Sequence, residues 1–151
     1  MALNPPLNEA GMPLRVSEQE CFIMHRNGIE FEVKVEGLGK MSGKGILVLT
    51  TNRVVLINTK NMASSDFKAF DLPLAKMFKE KFNQPIFGAN YLSCVSKPLF
   101  DQLPADAHAK IWFMEGGCGK FLKCFRYTLG KIREAAGRPD AMHALQMELQ
   151  S

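Results

Sequence analysis

Four cysteines (Cys21, Cys94, Cys118 and Cys124) and three histidines (His25, His108 and His143) are the side chains of this sequence best suited to nucleophilic, proton-transfer or metal-binding chemistry. Their spacing argues against all three. No CxxC pair occurs, and Cys118 and Cys124 lie six apart in a helical pattern, where they point to different faces. No GxSxG or HExxH motif surrounds a candidate nucleophile or ligand pair. A Cys–His pair assembled by folding needs only closeness in space and stays open at this level. The expectation is a protein without a catalytic site, resident metal or cofactor, with thiols that are free rather than paired.

Basic side chains offer a second chemistry, the capture of anions. Arg26 beside the first turn, Arg53 beside the second and Lys97 in a late loop could gather at one end of the fold into an anion- or lipid-binding patch. Solvated surface charge is the competing reading. Lys76, Lys79 and Lys81 read instead as charges guarding an edge strand, with 79 and 81 on one face and 76 off it. Ile86 and Phe87 form an apolar pair inside a run of turn residues, Pro85, Gly88 and Asn90. The pair serves the core or contacts a partner. Ser64-Ser65-Asp66 lies in a polar loop and is a candidate for phosphorylation, although small polar residues also simply make loops.

The elements that must carry these groups follow from periodicity. Residues 1–16 hold Pro5, Pro6, Gly11 and Pro13 with few large apolar groups and read as a flexible leader. From Cys21 a strand pattern begins, and Asn27-Gly28 is the dipeptide of a tight hairpin turn. Beyond it Ile29, Phe31, Val33 and Val35 alternate with charged residues, which predicts a strand with one buried face. A glycine-rich loop over 37–43 leads to a second hairpin, 46–50 with 53–58. After a polar loop at 60–66, further strands are expected at 67–72, 76–82, 91–96 and 110–114, giving seven or eight in all.

At Cys118 the period changes from two to 3.6. Phe121, Phe125, Leu129, Ile132 and Ala136 fall on one face, with Cys118 and Leu122 at its margins. Lys120, Lys123, Tyr127, Lys131 and Glu134 fall opposite. Burying four large apolar side chains contributes roughly 6–12 kcal/mol before entropy costs, against about 1 kcal/mol per basic residue at an anionic membrane. The helix therefore docks on the sheet, ending near Gly137 with Pro139 beyond, and Trp112 is expected to pack against it. Residues 139–151 form a short helical tail with Met142, Leu145 and Leu149 at i, i+3 and i+7.

Antiparallel strands followed by one amphipathic helix resemble the pleckstrin-homology-like layout, a mainly β, bent sandwich or barrel of about seven strands capped by a C-terminal helix. Residues 43–57, Gly-Lys-Gly-Ile-Leu-Val-Leu-Thr-Thr-Asn-Arg-Val-Val-Leu-Ile, resemble the GRAM-domain signature. Residues 84–91, Gln-Pro-Ile-Phe-Gly-Ala-Asn-Tyr, are similar to a block of the WW-domain-binding protein 2 family. In the same order, Phe-Asp-Leu-Pro-Leu at 70–74, Lys-Ile-Trp-Phe-Met-Glu-Gly-Gly at 110–117 with Phe121, and Met-Ala-Leu-Asn at 1–4 resemble that family. The resemblance covers about residues 20–136 and implies a GRAM domain over 17–138. It further implies a non-enzymatic adaptor of the transcription-coactivator type, cytoplasmic or nuclear, with a protein partner. The alternative is a peripheral membrane domain that binds phosphoinositides or other anionic lipids. WW domains are not expected as partners, because no PPxY motif occurs and Asn8 stands where Pro5-Pro6-Leu7 would need a tyrosine.

Composition agrees with one domain. The chain has 151 residues, 46% hydrophobic and 23% charged, with a net charge of +4, too mild for an electrostatic nucleic-acid binder. No aromatic-plus-basic RNA motif accompanies Trp112, so no direct nucleic-acid partner is expected. The longest apolar run, at 45–49, falls far short of the roughly 18–20 residues of a membrane span, and the first residues show no secretory signal pattern. Cytosol or nucleus is the expected compartment.

Overall fold

The computed structural model describes residues 2–9, 11–15, 17–59, 68–98 and 104–136. The strands are β1 (Ala2–Leu3), β2 (Phe22–Val35), β3 (Gly39–Thr50), β4 (Arg53–Asn58), β5 (Ala69–Pro73), β6 (Met77–Asn83), β7 (Tyr91–Ser96) and β8 (Ala107–Phe113). A single 3-10 turn, Leu74–Lys76, joins β5 to β6, and helix α1 spans Cys118–Ala136. All pairings are antiparallel, in one sheet ordered β1-β5-β4-β3-β2-β8-β7-β6. Seven main strands curl into a half-barrel, and the one helix packs its apolar face into the main core.

The curl begins where the sequence predicts a turn. Asn27-Gly28 does not reverse the chain. It sits in a bulge between Arg26 and Ile29, with Gly28 at φ 66°, inside a single strand of 14 residues. Met24 and Ile29, five positions apart, both face the main core, because the extra residue shifts the alternation of the strand. The first part of β2 pairs with β3 alone and the second part, from Ile29, with β3 and β8, so the bulge is the bend that lets one strand serve both halves of the sheet. The true hairpin follows Val35, where Gly37 and Gly39 adopt φ of 86° and 101° and the Leu38 amide donates to the Val35 carbonyl. The expected glycine-rich loop is therefore largely strand. Gly43 opposes Phe31, whose ring fills the space a side chain at 43 would need.

The core is built from the inward residues of both halves, among them Phe31, Leu47, Leu56, Phe70 and Ile111, with Phe121, Phe125 and Leu129 of α1. Phe113 packs on Phe121 at 5.2 Å between ring centroids, and Phe121 on Phe125 at 5.3 Å. Trp112 is not the helix partner. Alternation along β8 turns it outward with Lys110 and His108, and it lies against Tyr91 with centroids 5.7 Å apart.

A second apolar cluster, Val48, Val55, Ile57 and Ala69, lies outside the main core with Leu7 and Met12 packed on it. Here the leader departs from expectation, because its described part is docked. Leu3 pairs with Phe70, the Asn4 amide donates to the Ala69 carbonyl, and the Asn4 side chain accepts from the Lys68 and Ala69 amides. With the core on one face and the leader on the other, every residue of β4 is buried. This explains why its sequence is continuously apolar rather than alternating. The expected strands at 67–72 and 76–82 appear two residues and one residue later. The loop containing Ser64 and Ser65, the helix stop at Gly137 and Pro139, and the expected tail over 139–151 lie outside the described residues.

β6 is an edge strand, in keeping with its lysines, and a bulge between Phe78 and Lys81 interrupts its alternation. Its Glu80 holds the last turn of α1: Arg133 Nη2 donates to Glu80 Oε2 at 2.8 Å and reaches the Met77 carbonyl. The Arg133 hydrogen bond holds the Glu80 carboxyl below its ordinary value of 4.5, against partial desolvation, which acts in the opposite direction. A lowered native pKa stabilises the fold above the unfolded value and loses that contribution as pH falls through the native one. The melting-temperature difference between the parent chain and Glu80→Gln is therefore expected to shrink between about pH 6 and about pH 3, as read by circular dichroism melts.

Candidate functional site

The three cations expected to form an anion patch occupy unrelated places. Arg53 is 3% exposed and neutralised inside the protein. Its Nε donates to Glu20 Oε2 at 2.9 Å, Nη1 to Asp71 Oδ2 at 3.1 Å, and Nη2 to Glu20 Oε1 at 3.3 Å and to the Leu14 carbonyl. Glu20 is fully buried and also accepts from the Thr50 hydroxyl at 2.7 Å. Arg53 thus joins the leader, the β3–β4 turn and β5, and is not a surface ligand for phosphate. Arg26 folds over Gly117 and donates from Nη2 to the Gly116 carbonyl at 3.3 Å, clamping the link between β8 and α1. Lys97 follows Ser96, which pairs with Ala107 at the far end of β8 from Phe113, the residue opposite Ile29 beside the Arg26 bulge. Its ammonium stands 5.6 Å from the centroid of the Phe78 ring, and that of Lys79 stands 5.9 Å from the same centroid. The expected convergence of Arg26, Arg53 and Lys97 does not occur.

Ile86 and Phe87 meet the opposite fate from a core pair. They are 94% and 91% exposed at the tip of the connection between β6 and β7. Pro85 precedes them and Gly88 follows at φ 96°, a left-handed conformation that glycine adopts without a side-chain clash. The core alternative for this pair is removed. Beside the tip, Gly88, Ala89, Trp112 and Met114 border an open cleft on the outer face of β2 and β8.

A second surface feature runs along α1. Cys124, Thr128 and Ile132 of α1, with Ile23 of β2 across from them, line a strongly apolar groove of about 580 Å³, bordered by Lys120, Lys123 and Lys131. Ile23 is an exposed residue at the start of β2, next to the exposed Phe22. The Lys131 ammonium lies 5.6 Å from the centroid of the Tyr127 ring.

No protein-family model matches the sequence. A UPF0664 stress-induced protein of Schizosaccharomyces pombe is 37% identical over 121 residues, an alignment that spans 78% of this chain and 68% of that protein. The chain belongs to the UPF0664 family.

In this UPF0664 chain the thiols are distributed without a shared site. Cys94 and His108 border one cleft, yet Cys94 is buried and pairs with Ala109, whereas His108 opposes Val95 on the other face of the sheet. Burial, with a smaller contribution from the Glu80 charge, pushes the Cys94 thiol up to about 12, which removes its nucleophile at neutral pH. Among the described residues no group of three or more His, Cys, Asp or Glu could hold a metal ion.

The sequence placed the lysines of α1 correctly on its outer face, but not the groove, because Ile23 comes from an element about 100 residues away. A signal for Arg53 did exist. It heads an unbroken apolar strand, and Asp71 interrupts another apolar stretch in Phe-Asp-Leu, two charges that have no solvent to face.

Removing Arg53 strands buried carboxylates, so Arg53→Ala is expected to lower stability by about 3–5 kcal/mol in urea unfolding, with Arg53→Lys intermediate because one ammonium cannot bridge both acids. Cys21, which is exposed, should alkylate readily in the native protein, and Cys94 only as the chain unfolds, a contrast readable by mass spectrometry of labelled peptides.

Proposed function

We propose that this chain is a non-enzymatic binding module of the GRAM type, akin to the adaptors of the WW-domain-binding protein 2 family, that engages a protein partner through the Ile86–Phe87 tip. The observation that carries the reading is the near-complete exposure of both apolar side chains, side by side between Pro85 and Gly88. Burying two such side chains contributes roughly 3–6 kcal/mol before association costs. A convex apolar tip fits a concave apolar pocket, which is the geometry of an anchor residue in a protein interface. The ordered blocks at 43–57, 70–74, 84–91 and 110–117 support the GRAM assignment, and with it a coactivator-type adaptor of cytoplasm and nucleus. WW domains are not its proposed partners, since the PPxY tyrosine is missing.

The alternative, recruitment to anionic lipid, has weaker support because Arg53 is committed to Glu20 and Asp71, away from any headgroup. A direct comparison uses the full chain and an Ile86→Ser/Phe87→Ser variant in affinity capture from cell extract and in co-sedimentation with phosphatidylserine vesicles. The variant is expected to fold with stability within about 0.5 kcal/mol of the parent and to lose the captured partner, with neither protein pelleting with vesicles at physiological salt. Partner capture unaffected by the substitutions, or vesicle binding abolished by them, would overturn the reading.

A further inference from the structure

The outer face of α1 carries a site that the tip does not explain. Lys120, Lys123 and Lys131 border the groove, no carboxylate lines it among the described residues, and neither Lys120 nor Lys123 makes an ion pair among them. Among the described residues the charge of its rim is therefore of one sign.

The floor is recessed for a reason that lies in α1 itself. Cys124, Thr128 and Ile132 follow one another at intervals of four, and the first two are short. Residues at i, i+4 and i+8 form one row of a helix surface, and a row with short side chains lies lower than its neighbours, which lets a ridge of a second helix settle against it. The Thr128 hydroxyl donates to the Cys124 carbonyl at 2.8 Å, so it places no unsatisfied donor in the floor. Ile23 of β2 and Thr51 of the β3–β4 turn close the opposite side. From Lys120 to Lys131 the groove follows α1 for roughly 17 Å, the length of an eleven-residue helix.

We infer that this groove is a second docking site, and that its occupant is an amphipathic α-helix of a partner protein whose apolar seam is flanked by aspartate or glutamate. An elongated apolar floor accepts side chains at i, i+3, i+4 and i+7 of such a helix, and the lysine rim meets its acidic flank. The site deepens the adaptor reading, yet it shares no residue with the Ile86–Phe87 tip. The two can therefore fail separately.

The probe is a fluorescein-labelled synthetic peptide of about 14 residues with leucines at i, i+3, i+4 and i+7 and glutamates on either side, and a copy with lysine for glutamate. Each is titrated with the full chain by fluorescence anisotropy. The acidic peptide is expected to bind at micromolar concentration and the basic copy about tenfold more weakly, with the difference reduced at high salt. A Lys120→Glu/Lys123→Glu/Lys131→Glu variant, altered only at the groove rim, should reverse the preference. Bound acidic peptide should also slow alkylation of Cys124, which places it on the floor, while Ile86→Ser/Phe87→Ser should leave its affinity unchanged. Absence of binding, equal binding of both peptides, or unaltered alkylation of Cys124 would overturn the proposal. So would lysine-dependent pelleting with phosphatidylcholine–phosphatidylserine vesicles by a chain that ignores the peptide, which would assign the groove to a membrane surface instead.

Discussion

Arg53 enters the protein interior with its charge intact, and that charge can persist there only if carboxylates accompany it. Glu20 comes from the segment before β2, Asp71 from the middle of β5, and the Leu14 carbonyl from the leader. Two stretches far apart in sequence, 14–20 and β5, are thus brought to one guanidinium whose planar fork leaves little freedom in how they approach. The Thr50 hydroxyl, bonded to Glu20, also accepts from the Asn52 and Arg53 amides and so shapes the β3–β4 turn around the same centre. With this centre in place, the leader lies over Val48, Val55 and Ile57, and the sheet is covered on both faces where β3, β4 and β5 meet.

Much of this architecture was legible in the residues. The alternation at 29–35 placed a half-buried strand, the change of period at Cys118 placed α1, and the lysines of 76–81 marked an edge. What escaped notice follows a pattern. Asn27-Gly28 has the local chemistry of a turn, but tertiary pairing of both halves of β2 with β3 makes it a bulge; only partners distant in sequence decide between the two. The continuous apolar runs at 46–49 and 54–57 already implied cover on both faces, and the prolines of 1–16 obscured the leader as the source of that cover. In the sequence Arg53 looks like any surface cation, because its burial depends on Glu20 and Asp71, 33 and 18 positions away.

The two candidate surfaces are held by different parts of the same frame. The Ile86–Phe87 tip extends from the β6–β7 edge, a region anchored to α1 through Glu80 and Arg133. The lysine-bordered groove lies between α1 and the first residues of β2, close to the turn that Thr50 and Arg53 organise. One apolar surface is convex and the other concave, and they share no residue.

The sheet ends are closed by unlike means. At β6 the closure is chemical, since a bulge, a left-handed Lys79 and outward lysines spoil the edge as a template wherever the rest of the chain lies. At β5 it is borrowed, since the ladder is completed by Ala2 and Leu3 of the chain itself. Displacement of Ala2 and Leu3 would therefore vacate the strand-pairing groups of Phe70 and Asp71. The leader is in this sense an intramolecular ligand, and one side of the domain is guarded only for as long as that ligand stays bound.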